Sequence, residues 1–180
     1  MTHTRLAELP FRAIGGQPAF TPADLERFVA APRIAVLSYL RRDGRPCQAP
    51  IWYRYLDGRI VMTTTAGSPK ANALARDPRV CVTIQDEDPP YRAVIIDGLA
   101  ELTPMAAGEG DGASAVRYLG RTGARAYEAL TAEEYATTGL LRIDVEPTDV
   151  RGFDNVHALS RAERALMRVR RVLPEPLQRL

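Results

Sequence analysis

Two Asp-Gly dipeptides, Asp43-Gly44 and Asp57-Gly58, each sit between short runs rich in β-formers. Glycine takes a positive φ without steric cost and aspartate tolerates its neighbourhood, so such a pair between alternating runs closes a hairpin. The runs Ile34 to Leu40, Arg45 to Leu56 and Arg59 to Thr65 therefore predict three antiparallel strands in an up-and-down sheet. Pro46 and Pro50 interrupt the second of them.

Helix signals flank this meander. Thr21-Pro22-Ala23-Asp24 supplies an N-cap, a proline for the first helical position and an acid for the positive end of the dipole, and Pro32 stops that helix. Gly67-Ser68-Pro69-Lys70 repeats the cap-then-proline pattern for a short helix that ends at Asp77-Pro78. Further strands are expected over Val80 to Gln85, Arg92 to Leu102 and Leu140 to Val145, and Gly98 marks a bulge or a close backbone approach. Ala115 to Leu130 reads as a helix divided by Gly120 and Gly123, with Thr131 to Glu134 as a separate capping box. The glycines between Met105 and Ser114 predict a mobile loop, and Ser160 to Glu163 caps a basic amphipathic helix running to about Leu173. The chain divides into an arm (1–20), one barrel domain (21–156) and a C-terminal helix and tail (157–180).

A chain of 180 residues can bury a sizeable core without metals or disulfides. Its net charge of +2 is too small to argue for nucleic acid or another polyanionic partner. Cys47 and Cys81 lie in apolar strand runs with no metal-ligand spacing and read as buried thiols of a reducing cytoplasm. No basic-then-apolar leader opens the sequence and no apolar run approaches the ~18 residues that span a bilayer, so a cytoplasmic protein with little membrane contact is expected. His3 and His157 neither pair with a nucleophile nor share metal spacing, which argues against a catalytic triad and leaves no metal site.

The chemistry concentrates between Asp43 and Arg79. Hydroxyls of Thr63, Thr64, Thr65 and Ser68, the N–H groups of a helix start and the ammonium of Lys70 can converge on one phosphate; an ordinary capped helix with a solvated lysine is the competing reading. On a strand of period two, Trp52 faces away from Tyr53 and Tyr55, so one set is core and the other is free to meet a ligand. Arg41, Arg42, Arg45 and Arg54 are candidates for an anionic tail, and Tyr91-Arg92 either reaches the site of a partner subunit or makes plain rim contacts.

In order and spacing, five of these features resemble the pyridoxamine-phosphate-oxidase-like split barrels, and within them the flavin/deazaflavin oxidoreductases that use coenzyme F420. They are Asp24-Leu25-Glu26-Arg27-Phe28, Asp43-Gly44-Arg45-Pro46, Pro50-Ile51-Trp52-Tyr53, Gly67-Ser68-Pro69-Lys70 with Leu74, and Asp77-Pro78-Arg79-Val80. The resemblance implies a mainly β fold with flanking helices, a six-stranded antiparallel split barrel, working as a homodimer with cofactor at the interface. It further implies that Thr63, Thr64, Thr65, Ser68 and Lys70 hold the cofactor phosphate, that the backbone of Ala49-Pro50-Ile51 lies beside the redox ring, and that Trp52 and Tyr53 stand nearby. Arg54 and Tyr91 complete the set of cofactor candidates; no catalytic side chain is assigned. Flavin-mononucleotide-binding relatives usually carry Arg beside the Lys, where this chain has Pro69. The expected activity is hydride transfer between F420 and an electron-poor small molecule, with an FMN-dependent oxidase or reductase, or a non-catalytic cofactor carrier, as alternatives.

Overall fold

The computed structural model describes residues 3–106, 111–156, 159–160, 162–163 and 165–166. Its strands are β1 (Phe11–Ala13), β2 (Ala35–Leu40), β3 (Pro46–Ile51), β4 (Tyr53–Leu56), β5 (Arg59–Thr65), β6 (Arg79–Gln85), β7 (Arg92–Pro104) and β8 (Leu140–Asp154). Helices α1 (Pro22–Ala30), α2 (Pro69–Arg76) and α3 (Gly112–Thr138) accompany them. All eight strands share one sheet in the order β3-β2-β6-β7-β8-β5-β4, with β1 added in parallel to β8. The fold is the expected mainly β split barrel, an open sheet flanked by helices.

Both Asp-Gly signals form turns. Asp57 and Gly58 have φ of 51° and 82°, the paired positive values of a two-residue hairpin. Gly44, with φ of 79°, closes the other turn, where the Arg41 N–H bonds the Arg45 carbonyl at 2.9 Å.

The second predicted strand is two strands. β3 pairs only with β2 and β4 only with β5, so residues adjacent in sequence lie at opposite ends of the sheet. Trp52 alone joins them, and one extended residue spans no more than ~3.6 Å. That short link curls the sheet until its two ends meet, and the barrel is split at this seam. Pro50, which has no N–H to donate, occupies an edge strand, where proline is tolerated.

Other differences have local causes. The arm is packed rather than loose: Leu6 and Phe20 are buried in the core, and the Leu6 N–H bonds the Gly58 carbonyl at 2.8 Å. Its apolar residues anchor it without any regular period. β8 runs to Asp154 instead of Val145, because β7 and then β1 continue to pair with it beyond Pro147. The added strand β1, with the division at Trp52, turns six expected strands into eight. Helix α3 passes through Thr131, whose hydroxyl bonds the Tyr127 carbonyl at 3.0 Å instead of capping a new turn. The break falls at Gly120 alone (φ 68°, ψ 174°).

The caps and the bulge form as expected. Thr21 Oγ1 accepts from the Asp24 N–H, and Ser68 Oγ from the Ala71 N–H. Ser160 and Glu163 bond each other reciprocally, at 2.7 and 3.2 Å. The register of β7 against β8 shifts at Asp97/Gly98, where a Cβ on Gly98 would stand 2.5 Å from the Glu146 carbonyl oxygen. The predicted mobile loop and most of the C-terminal helix, including His157, fall on 107–110 and 157–180, largely outside the described residues.

Cys47 and Cys81 are free thiols, half-buried rather than buried. Cys47 lies on edge strand β3, 3.4 Å from the Tyr39 hydroxyl, and burial pushes the Cys81 thiol up to about 11. No helix among the described residues is long and apolar enough to cross a membrane.

Candidate cofactor cavity at the barrel seam

A cavity of about 380 Å³ opens at the seam, within the range of small-molecule sites. Its walls are the Pro50-Ile51-Trp52 junction, the Thr63-Thr64-Thr65 end of β5, Ile34, Leu140, and Asp111, Tyr127 and Tyr135 from α3 and its N-cap. Six of the candidate residues, Pro50, Ile51, Trp52, Thr63, Thr64 and Thr65, thus meet around one space.

The others take different places. Ser68 stands one hydroxyl behind the wall, its Oγ 3.0 Å from Oγ1 of buried Thr64. Lys70, half-buried, occupies the second position of α2 and has no hydrogen-bond or ion-pair partner among the described residues. Because Pro69 lacks an N–H and Ala71 donates to Ser68, Lys70 presents both the open N–H of that first turn and an ammonium. Arg54 does not line the cavity, but its charge reaches Asp111. Ala49 packs toward the core on the opposite face of β3 from Pro50. Tyr91 is 51% exposed and borders a separate cavity with Gln85, Asp86, Glu87, Arg92, Ala93 and Phe153. In that second space the Asp86 carboxylate is already bound by Arg33 and Arg92, at 2.8 and 2.7 Å. Arg41, Arg42 and Arg45 project from the exposed β2–β3 turn.

An aromatic stack forms one wall. The ring of Trp52 lies parallel to Tyr118 at 5.1 Å and tilted against Tyr127 at 5.2 Å, while the hydroxyls of Tyr127 and Tyr135 meet at 2.7 Å. The alternation argument resolves as the period requires: Tyr53 is fully buried, donating to the Val29 carbonyl at 2.9 Å, and Trp52 faces the cavity. Tyr118 fastens the seam. Its hydroxyl accepts from the Tyr53 N–H at 3.1 Å and donates to the Arg33 carbonyl at 2.7 Å. Tyr118→Phe keeps the ring on Trp52 but strands the Tyr53 N–H, so thermal unfolding should show a loss of about 1–3 kcal/mol. The near-ultraviolet signal of Trp52 should persist.

Sequence reading missed Asp111, Tyr127 and Tyr135. Tyr127, Thr131 and Tyr135 recur at intervals of four, one face of a helix, and that periodicity was the available signal. Asp111 gives no such sign in the sequence. Burial pushes its carboxyl above the usual carboxylate range, and the Ser114 hydroxyl, the charge of Arg54 and the Thr63 hydroxyl draw it partly back. Tyr135 is also shifted upward, first by burial and then by its bond with Tyr127, which keeps the phenol protonated.

These features fit a phosphate-bearing aromatic cofactor: an aromatic wall, a rim of hydroxyls, and beside it a helix start with an unpartnered lysine. Among the described residues no group of three or more His, Cys, Asp or Glu is placed to hold a metal ion.

The chain matches the pyridoxamine 5'-phosphate oxidase family over residues 21–151. Its fold is similar to the conserved hypothetical protein Rv2991 from Mycobacterium tuberculosis, with 26% identity over 81% of this chain and 92% of that one and a TM-score of 0.63. An F420 reductase is similar at 22% identity over 69% and 94% of the two chains, with a TM-score of 0.50. A FAD-binding protein from Mesorhizobium loti is similar at 20% identity over 73% and 90%, also with a TM-score of 0.50.

Proposed function

The chain belongs to the pyridoxamine 5'-phosphate oxidase family, and from that premise we propose that it is a deazaflavin-dependent oxidoreductase acting on an electron-poor small molecule. The observation that carries this reading is the seam cavity, where an aromatic wall and a hydroxyl rim adjoin the α2 start. A bound deazaflavin supplies hydride chemistry; everything else falls to the protein.

The residues divide that work. Lys70, through its ammonium and N–H, with the hydroxyls of Thr63, Thr64 and Thr65, binds the phosphate, and Ser68 positions Thr64 from behind. Trp52, braced by Tyr118 and Tyr127, sets the plane of the ring, and the Pro50-Ile51 backbone lines its edge. Ile34 and Leu140 exclude water from the reacting face. Such a site gains rate through orientation and a preorganised environment rather than through a nucleophile. The absence of Arg beside Lys70 favours the singly charged phosphodiester of a deazaflavin over the dianionic monoester of FMN. Two copies of the chain form the working unit in this reading, with the exposed apolar residues Val116 and Leu119 of α3 available for the contact.

Reduced deazaflavin mixed with the protein and a quinone or activated alkene should return to its oxidised spectrum faster than without protein. Tight binding without acceleration for any acceptor would make the chain a carrier, and acceleration only with reduced FMN would move it to the flavin branch.

A further inference from the structure

Among the described residues, Asp111 is the only acidic side chain in the wall of the seam cavity. It shares that wall with the threonines proposed to receive a phosphate and lies within hydrogen-bonding reach of the Thr63 hydroxyl. An occupant of so small a space sits within the ~8 Å over which physiological salt screens a charge. A carboxylate and an anionic cofactor therefore oppose each other there, and the cheapest relief is a proton.

Resting on the cofactor reading above, we propose that Asp111 couples cofactor binding to proton uptake: the anionic cofactor enters as the Asp111 carboxylate takes one proton from solvent. The loaded cavity then holds a neutral carboxyl. The reaction is a protonation only, with no electrons moved and no bond broken.

The described surroundings support this role. On β5, Thr63 offers a hydroxyl, and its cross-strand neighbour Arg142 on β8 is engaged with Asp144 at 2.7 Å. Among the described residues, Arg54 of β4 is the cation whose charge acts on Asp111. On α3 it faces Ser114, the phenol of Tyr135 and, beyond that, Tyr127, while Glu128 approaches the adjacent Gly112. Burial already raises the pKa of the Asp111 carboxyl in the free protein, and the added negative charge of a cofactor pushes it in the same direction. The sign follows. Below the pKa of Asp111 the carboxyl is neutral and binding has full strength; as pH rises through it, the carboxylate forms and binding weakens.

The test is calorimetric titration of the full chain with F420 and, separately, FMN, in buffers of different ionisation heat from about pH 5 to about pH 9. Asp111→Asn, which keeps the size and polar shape of the side chain without its charge, is measured alongside, so that any ionisation of the cofactor itself cancels in the comparison. The parent should take up protons on binding and lose affinity toward high pH. The variant should take up none beyond the cofactor's own and bind about 10- to 100-fold tighter than the parent at the alkaline end, converging with it at the acid end. Identical pH profiles for the two proteins, or no uptake by the parent, overturn the coupling while leaving the cavity as the cofactor site. A folded variant that loses binding at every pH also overturns it, since Asp111 would then be a direct ligand. If neither protein binds either cofactor at any pH, the cofactor reading itself fails and the coupling falls with it.

Discussion

Replacing Lys70 by Ala should weaken cofactor binding by about 10- to 150-fold and leave the fold at nearly its parent stability. A charge-assisted hydrogen bond lost to a phosphate costs about 1.5–3 kcal/mol, and each 1.4 kcal/mol is tenfold in affinity. Stability is spared because Lys70 makes no described hydrogen bond or ion pair with its own chain and alanine is the best helix former. Added salt should shrink the difference between parent and variant, since it screens the attraction that the variant lacks. Ser68→Ala makes the contrast. It removes the cap bond to the Ala71 N–H and the contact with Thr64, so it should lose about 1 kcal/mol of stability along with affinity. A titration of each variant paired with a thermal melt separates the two mechanisms. Unchanged affinity in Lys70→Ala would return that lysine to the solvated surface.

The largest effect on the fold is expected at Gly152. This residue sits mid-strand in β8, between Val94 of β7 and Ala13 of β1, and its carbonyl accepts from the Ile14 N–H at 2.9 Å. A Cβ there would lie 1.9 Å from the Ala93 carbonyl oxygen, and its φ of 156° is one that L side chains rarely adopt. The obstacle is backbone on a central strand and cannot swing aside. Overpacking and backbone strain each cost about 1–3 kcal/mol, so Gly152→Ala should lose about 3–5 kcal/mol and melt roughly 10 °C lower. A melt within a degree or two of the parent would mean that β1 and β7 can part around β8 without cost.

What the sequence disclosed, and what it withheld, follows from the range of the forces involved. The turns at Gly44 and Gly58, the caps at Thr21 and Ser68 and the bulge at Gly98 depend on neighbouring atoms and on φ, and were legible from a few residues each. Position 52 was different. The run from Arg45 to Leu56, even with Pro46 and Pro50 in it, carries no mark of which partner each half will find, and the division appears only when β3 pairs with β2 while β4 pairs with β5. The arm escaped notice because Leu6 and Phe20 contribute burial without period. In the site, Thr63 to Thr65 were identified from local chemistry and Pro50 to Trp52 from the family resemblance, and the two stretches do meet. Those delivered by α3 were not, since Asp111, Tyr127 and Tyr135 reach the cavity only through the packing of a distant helix across the seam. Tyr91, read as reaching the partner subunit's site or as a rim contact, borders a separate cavity of its own chain.

Trp52 is the single tryptophan of the chain and forms part of the cavity wall, so its emission reports on that space without labelling. The most direct test of the account is therefore a fluorescence titration of the cofactor-free protein with F420 and, in parallel, with FMN. Saturable quenching of Trp52 at one cofactor per chain, tighter for F420 than for FMN and weakened by Lys70→Ala, is the predicted result; emission that neither cofactor alters would contradict it.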